Sequence, residues 1–133
     1  MKQRLIIAGS REFTNYEYLE TTLDRYFRKF VDDKSEVTII SGTARGTDSM
    51  GERYARSHGI DLIRCPANWN KLGKSAGYVR NEEMAILSMS EGYQGILIAF
   101  WDGISRGTKN MIDLASKHGL VIHIFKIGKM IEC

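Results

Sequence analysis

Five apolar runs that alternate with four helical patterns predict an α/β fold, a three-layer Rossmann-like domain with a mainly parallel five-strand sheet. The runs are apolar on both faces, which is typical of parallel strands covered by helices on each side. At 133 residues, with 43% hydrophobic and 26% charged residues, the chain has enough apolar material for one core. We therefore expect residues 1–133 to form a single domain.

Each predicted strand is an apolar run, and each predicted helix contains apolar residues at helical spacing. The predicted strands are 5–8, 37–40, 61–65, 95–100 and 120–125. The predicted helices are 16–31, 48–58, 78–90 and 108–118, with a long polar loop before the third. In the common doubly wound strand order, the first and fourth strands lie side by side and ligands bind outside their carboxyl ends.

Charge and cysteine content set only broad limits on the function. The net charge of +3 suits an anionic small ligand, although ordinary solubility charge explains it equally well. The chain opens without a leader-like segment, contains two cysteines and has no membrane-spanning run, so we expect a cytoplasmic protein without membrane contact. The three histidines lack ligand spacing, so we expect no metal site and no cofactor.

Four Gly- and Ser/Thr-rich segments each follow a predicted strand and precede a helical pattern. They are 9–11, 41–48, 68–77 and 101–108. In a parallel sheet such segments meet at one edge, where glycines let backbone N–H groups approach a ligand and helix N-termini favour anions. The sequence therefore predicts a phosphate- or nucleotide-binding site built from four loops.

The candidate ligand-binding residues come from these loops and from the helical turn after the third. They are Gly9, Ser10, Arg11, Ser41, Gly42, Arg45, Gly46, Asp48, Trp69, Lys74, Ser75, Arg80, Asn81, Asp102, Gly103, Ser105, Arg106, Gly107 and Thr108. Arg11 suits a bidentate pair with phosphate, and Trp69 suits stacking on a base. The alternatives are a plain strand-to-helix turn for the first loop and a solvated lid, with Trp69 packed on the core, for the third.

Two motifs in the loops leave alternatives open. Thr47 is the predicted N-cap of the second helix, and Asp48 either favours the helix dipole or binds ribose hydroxyls. The segment GKS (73–75) ends like a Walker A motif, but Asn68 stands where that motif requires its first glycine. A dinucleotide G-x-G-x-x-G is also missing, so a generic NAD or ATP motif is not supported.

The chain resembles the YspA-type members of the SLOG superfamily, which are relatives of the DprA/Smf and LOG proteins. The resemblance rests on GSREF (9–13), SGTARGTDSMGERYA (41–55), GKSAG (73–77) with Arg80, Asn81 and Met84, and WDG (101–103) with Gly107, Thr108 and Met111. It covers nearly the whole chain. The resemblance implies a Rossmannoid fold that binds nucleotides or nucleotide-derived molecules such as ADP-ribose relatives, and a tendency to form homo-oligomers.

The LOG relatives cleave the N-glycosidic bond of nucleoside 5′-monophosphates with a P-G-G-x-G-T-x-x-E motif, and GISRGT (103–108) resembles its phosphate-binding part. Met111 stands at the position of the catalytic glutamate. A thioether neither accepts a proton usefully nor stabilises an oxocarbenium-like centre by charge. Hydrolysis would therefore need a relocated carboxylate, for which the candidates are Asp102, Glu82 and Asp48; Asp102 also suits a ribose or a metal.

The favoured hypothesis is a sensor or sequestering protein that binds a nucleotide or nucleotide-derived ligand. The alternative is an N-glycosidase, or phosphoribohydrolase, that acts on a nucleotide derivative through the relocated carboxylate. Single-stranded DNA binding of the DprA type ranks third, because the sequence shows no clear basic stripe and no aromatics interleaved with basic residues. Nucleic acid is therefore not an expected partner, whereas a nucleotide-derived small molecule is, together with the homo-oligomer that the resemblance implies.

Overall fold

The centre of the protein is a five-stranded parallel sheet. In the computed structural model, which describes residues 1–128, the strands are β1 (Gln3–Gly9), β2 (Val37–Ser41), β3 (Asp61–Arg64), β4 (Gln94–Trp101) and β5 (Val121–Lys126). Their order is β3-β2-β1-β4-β5, and every neighbouring pair is parallel. The predicted α/β class is confirmed, as is the prediction that the first and fourth strands are neighbours.

Helices cover both faces of this sheet. They are α1 (Tyr16–Phe30), α2 (Thr47–His58), the one-turn α3 (Trp69–Leu72), α4 (Ala76–Ser88) and α5 (Arg106–His118), with 3-10 turns at Lys34–Glu36, Gly73–Ser75 and Ser90–Gly92. Leu19 and Leu23 of α1 and Tyr54 of α2 pack into one core. Met84 of α4 and Met111 of α5 pack into a second core on the opposite face. Within residues 1–128 no helix is long and apolar enough to cross a membrane.

The strands supply side chains to the two cores in alternation. In β1, Leu5 and Ile7 belong to the core under α1 and α2, whereas Ile6 and Ala8 belong to the other. Leu5, Ile6 and Ile7 are at most 1% exposed, which explains why the strand is a continuous apolar run. Burying each of these large side chains contributes roughly 1.5–3 kcal/mol to stability.

Three helix starts differ from the predictions, and one short helix was not predicted. The predicted N-cap at Thr47 is wrong by one position, because Gly46 is the N-cap and Thr47 is the first helical residue of α2. The long loop before α4 contains α3, whose first turn is held by the Asn68 side chain accepting from the Lys71 N–H at 3.1 Å. The third and fourth long helices each begin two residues earlier than predicted, at Ala76 and Arg106.

Three chain segments come into backbone contact at the carboxyl end of β1. The Ser10 carbonyl oxygen accepts from the N–H of Thr47 at 3.3 Å and from its hydroxyl at 2.9 Å. The Ser10 N–H donates to the carbonyl oxygen of Phe100 at 3.1 Å. A Cβ atom on Gly9 would lie 2.3 Å from that same Phe100 oxygen, so only glycine fits there. The ends of β1 and β4 and the start of α2 are thereby fixed to one another.

We expect Gly46→Ala to destabilise the fold more than Gly59→Ala. Gly59 has φ +66° and ψ +36°, the left-handed helical region, where alanine costs about 1–2 kcal/mol. Gly46 has φ +76° and ψ −124°, outside that region, where a side chain is strained by about 1–3 kcal/mol. A Cβ on Gly59 would have no atom within 4 Å, whereas one on Gly46 would lie 2.4 Å from the Arg11 carbonyl oxygen. Urea unfolding should show a loss of roughly 3 kcal/mol or more for Gly46→Ala. Equal losses for the two variants would contradict the close approach of the two loops.

Candidate functional site

A cleft with a volume of about 440 Å³ lies at the carboxyl ends of β1 and β4. The chain order reverses between these strands, since β2 lies beyond β1 and β5 lies beyond β4. Open α/β sheets bind ligands at this position. Twelve of the candidate ligand-binding residues line the cleft: Gly9, Ser10, Arg11, Asp48, Trp69, Lys74, Arg80, Asn81, Asp102, Ser105, Gly107 and Thr108.

The other candidates lie elsewhere. Gly42 and Arg45 line a neighbouring hollow. Five more line neither the cleft nor that hollow: Ser41, Gly46, Ser75, Gly103 and Arg106. Of the three candidate carboxylates, Asp48 and Asp102 line the cleft, whereas Glu82 lies outside it with its Oε1 3.4 Å from His118 Nε2. Residues from all four loops line the cleft. Only the first loop contributes all of its predicted residues.

The first loop places Arg11 at the mouth of the cleft. Ser10 is buried, and its hydroxyl oxygen accepts from the Glu12 N–H at 3.2 Å, which fixes the turn. Arg11 is exposed and lines the cleft. Glu12 points its carboxylate to Arg45, with Oε1 and Nη2 2.6 Å apart. The loop therefore offers a guanidinium group to the cleft, and the nearby acidic side chain is already paired.

Asp48 is a buried carboxylate in the wall of the cleft. Its Oδ2 accepts from the Ala44 N–H at 3.1 Å. Burial raises the pKa of Asp48 from 3.8 to about 6, and the Ala44 N–H and the guanidinium groups of Arg80 and Arg11 offset only part of that rise. At neutral pH the wall therefore holds a poorly solvated negative charge beside two positive charges.

Arg80 and Asn81, at the start of α4, connect the second loop to the fourth. Arg80 Nη1 donates to the Gly42 carbonyl oxygen, and Arg80 Nε donates to Asn81 Oδ1 at 3.0 Å. Asn81 Nδ2 in turn donates to Asn110 Oδ1 at 2.9 Å and to the Gly107 carbonyl oxygen at 3.4 Å. Burial lowers the pKa of Arg80, because little water solvates its charge. An anion in the cleft would compensate for that lost solvation.

The fourth loop presents the start of α5 to the cleft. Asp102 Oδ1 accepts from the N–H groups of Ile104 and Ser105, both at 2.8 Å, so this carboxylate shapes the loop. Ser105 is the N-cap of α5 but its side chain makes no capping hydrogen bond. Gly107 and Thr108, in the first turn, line the cleft. A helix start without a side-chain cap leaves N–H donors and a partial positive charge for an anion.

The third loop forms the outer rim of the cleft. Trp69 is 51% exposed and Tyr78 is 50% exposed, and both line the cleft together with Lys74. Gly77 lies next to the Trp69 ring, because a Cβ on that glycine would lie 3.5 Å from a carbon of the ring. Trp69 is therefore not packed into the core, and two aromatic faces and a lysine are open at the rim.

The floor of the cleft is apolar. Met111 lines it but is only 1% exposed, and it packs in the second core with Met84 and Ala8. Met111 is therefore a core side chain of α5. At the position where the resemblance to LOG proteins implies a glutamate, the cleft has a thioether.

Sequence reasoning did not assign seven further residues that line the cleft: Ala8, Glu12, Ala44, Gly77, Tyr78, Met84 and Met111. The apolar members resemble ordinary core residues in the sequence, and nothing marks their position at the end of a strand or helix. Tyr78 had a usable signal, since it follows Gly77 at a helix start beside the Lys-rich loop. Within residues 1–128, no three His, Cys, Asp or Glu side chains are grouped to hold a metal ion.

We expect Asp48→Asn to become increasingly stabilising, relative to the parent, as the pH rises from about 4 to about 7. The folded protein holds the Asp48 proton up to a pKa of about 6, whereas the unfolded chain releases it near 3.8. Between these values the unfolded chain binds fewer protons, so the parent loses up to about 3 kcal/mol of stability as the pH rises. Asparagine does not titrate, and its amide oxygen can still accept from the Ala44 N–H.

Urea unfolding of parent and variant at pH 4 and pH 7 measures this difference. Asp61→Asn is the matched control, because Asp61 is an exposed residue on the edge strand β3 and its loss should change the difference little. The raised pKa of Asp48 would be contradicted if the stability difference between Asp48→Asn and the parent were the same at both pH values. It would also be contradicted if that difference shrank as the pH rose.

Comparison with known proteins agrees with this architecture. The model of the YspA, cpYpsA-related SLOG family matches residues 3–72, just over half of the chain. The Gene 61 protein of Mycobacterium phage D29 is 28% identical over 125 residues, which cover 90% of this chain and 94% of that protein. The X-ray structure of DNA processing protein A (DprA) from Streptococcus pneumoniae superposes with a TM-score of 0.69 at 16% identity, over 93% of this chain and 50% of the DprA chain. This chain thus spans half of DprA and shares its fold. The chain belongs to the YspA, cpYpsA-related SLOG family.

Proposed function

We propose that the protein binds a nucleotide or a nucleotide-derived, ADP-ribose-like ligand at the carboxyl edge of the sheet and acts as a sensor or sequestering protein. The observation that carries this proposal is the composition of the cleft. Arginine and lysine side chains and an uncapped helix start lie within the same 440 Å³ as two exposed aromatic rings. Anion-binding groups beside aromatic faces suit a molecule that joins phosphate to a base.

The phosphate group would lie at the start of α5. Gly107 and Thr108 line the cleft there, and Arg11 and Lys74 approach from the first and third loops. Arginine pairs with phosphate through two parallel N–H donors, whereas lysine acts as a point charge. These groups come from separate loops, so the phosphate would join parts of the chain that only the fold brings together.

The base would lie at the rim, against Trp69 and Tyr78. Both rings are about half exposed, and a stacked base would cover apolar surface that water now contacts. Asp48 and Asp102, which are less exposed than the two rings, line the same cleft, and their carboxylate oxygens can accept from ribose hydroxyls. The cleft thus offers separate groups for the phosphate, the ribose and the base.

Binding without rapid turnover follows from the carboxylates that the cleft contains. Met111 replaces the LOG-type glutamate with a thioether, and Glu82 lies outside the cleft. Asp102 Oδ1 is engaged by two backbone N–H groups. Asp48, with a pKa of about 6, is the one feature that favours the alternative of an N-glycosidase, since a carboxyl that titrates near the working pH suits acid–base catalysis.

The resemblance to SLOG proteins also leads us to propose a homo-oligomer. β5 is an edge strand, and Val121 and Ile124 on it are 42% and 48% exposed. Apolar side chains on an open strand edge suit pairing with another chain. Sedimentation velocity should show a species larger than the 15.1 kDa monomer.

Arg11→Ala should weaken binding of AMP and of ADP-ribose by about tenfold or more, because it removes a charge-assisted pair with phosphate. Arg25→Ala is the matched control. Arg25 is also exposed, but it lies on α1 and lines neither the cleft nor the neighbouring hollow, so its loss should change the affinity by less than about threefold. Isothermal titration calorimetry of the parent and both variants measures these effects.

Failure of the parent to bind either nucleotide would contradict the proposed function. Equal weakening by both variants would show that general positive charge, not Arg11, determines affinity. A single-stranded oligonucleotide that binds the parent while AMP and ADP-ribose do not would favour DNA binding instead, because exposed Trp69 and Tyr78 beside Lys74 can also stack on unpaired bases.

Incubation of the protein with an excess of AMP or ADP-ribose should release no more than one base per protein molecule, because the cleft lacks the LOG-type carboxylate at Met111. Chromatographic separation of free base from ribose phosphate checks this. Multiple-turnover release that is lost in Asp48→Asn or Asp102→Asn would move the protein to the N-glycosidase class and identify the relocated carboxylate.

A further inference from the structure

The hollow next to the cleft differs from it in charge. The hollow has a volume of about 420 Å³ and shares four lining residues with the cleft: Arg11, Ala44, Trp69 and Arg80. Positive and negative side chains line the cleft in equal number, namely Arg11, Lys74 and Arg80 against Glu12, Asp48 and Asp102. The charged residues that line the hollow are Arg11, Arg45 and Arg80, and none of the lining residues within 1–128 is acidic. The excess of positive charge therefore lies in the hollow and not in the cleft.

Arg80 supplies a buried, fixed positive charge to the hollow. The residue is only 9% exposed. Its Nη1 donates to the Gly42 carbonyl oxygen, and its Nε donates to Asn81 Oδ1 at 3.0 Å. A guanidinium group has five N–H donors, so these two hydrogen bonds leave further donors on Arg80. An oxyanion beside Arg80 would supply the charge-assisted hydrogen bonds that little water is present to make.

The backbone N–H groups of the second loop are engaged within the protein. The Thr43 N–H donates to Ser41 Oγ at 3.0 Å, and the Ala44 N–H donates to Asp48 Oδ2 at 3.1 Å. Recognition of an anion in the hollow therefore depends on guanidinium side chains and not on backbone donors. Guanidinium groups pair with phosphate-like oxyanions through parallel N–H donors, which a neutral group cannot match in strength.

Arg45 has a partner that an anion can replace. Its Nη2 lies 2.6 Å from Glu12 Oε1, and the two side chains are 71% and 80% exposed. Such an exposed ion pair contributes little in water. Glu12 lines the cleft but not the hollow, whereas Arg45 lines the hollow but not the cleft. An oxyanion in the hollow would therefore compete with the Glu12 carboxylate for Arg45.

We propose that the hollow is a second oxyanion site, formed by Arg11, Arg45 and Arg80, for a phosphate or sulfate group separate from the phosphate at the start of α5. The group is either a free oxyanion or a second phosphate ester on the nucleotide, at the 2′ or 3′ position of the ribose. This inference goes beyond the proposed function, which needs only one phosphate position. Arg11 and Arg80 line both spaces, so Arg45 is the arginine that separates the second site from the first.

Titration of sulfate into the ¹⁵N-labelled, AMP-saturated protein tests the proposal, with chloride used to keep the ionic strength constant. AMP fills the cleft, so saturable NMR shifts of the backbone amides of residues 43–45 would report sulfate in the hollow. Arg45→Glu should weaken sulfate binding by about tenfold or more, because it places a negative charge beside the site. Glu12→Gln should strengthen it by about twofold, because it removes the competing carboxylate.

Arg25→Glu is the matched control for Arg45→Glu. It makes the same change of charge at an exposed position on α1 that lines neither space. Arg25→Glu should weaken sulfate binding by less than about twofold, because long-range effects of exposed charges are screened.

Adenosine 2′,5′-bisphosphate and adenosine 3′,5′-bisphosphate distinguish the two sources of the oxyanion. If the group belongs to the nucleotide, one of these compounds should bind the parent about tenfold or more tightly than AMP in calorimetry. Arg45→Glu should then abolish that preference. If sulfate binds and neither bisphosphate binds more tightly than AMP, the site takes a free oxyanion.

The proposal is overturned, and the proposed function stands, if AMP binds but sulfate causes no saturable shifts at residues 43–45. It is also overturned if sulfate displaces AMP, or if Arg45→Glu and Arg25→Glu weaken sulfate binding equally. If the parent does not bind AMP, the proposed function fails. Titration of sulfate into the free protein then decides the fate of the hollow separately, through the same amide shifts and the same pair of variants.

Discussion

The Ser10 carbonyl oxygen, which accepts both the N–H and the hydroxyl of Thr47, fixes the geometry on which the cleft depends. This double contact holds the start of α2 against the end of β1, and Ser10 in turn donates its own N–H to the end of β4. Such short backbone contacts are possible only because Gly9 has no side chain. The parallel sheet brings the loops to one edge, and these contacts set their spacing to a few ångströms.

The electrostatics of the cleft depend on the burial of its charged groups as well as on which charged residues the sequence supplies. Arg80 sits where little water reaches it, next to a carboxylate, Asp48, whose pKa is raised to about 6 by its own burial. The two charges attract one another, but attraction between buried charges regains only part of the hydration that each has lost. Arg80, which holds the second loop to the fourth through Asn81, therefore also brings an incompletely solvated positive charge to the site.

The fold was predictable because its signal is spread over many residues: five apolar runs and four helical patterns must alternate in an α/β sheet. The convergence of the loops followed from that topology. The directions of the side chains could not be predicted in this way, because each direction depends on a tertiary contact. Ser41 turns away to donate to Glu52 at 2.7 Å, and Arg45 turns to Glu12. The four residues of α3 are too few to show a helical period.

We propose that a nucleotide-derived ligand binds between the first and fourth loops. Two-dimensional ¹H–¹⁵N NMR of the labelled protein during titration with ADP-ribose tests it most directly, because every backbone amide reports its own surroundings. Binding there should produce saturable shifts at Ser10, Gly107 and Thr108, with unchanged resonances in the Lys34–Glu36 turn, which precedes β2 at the opposite edge of the sheet. Shifts confined to that opposite edge, or no shifts at any ligand concentration, would contradict it.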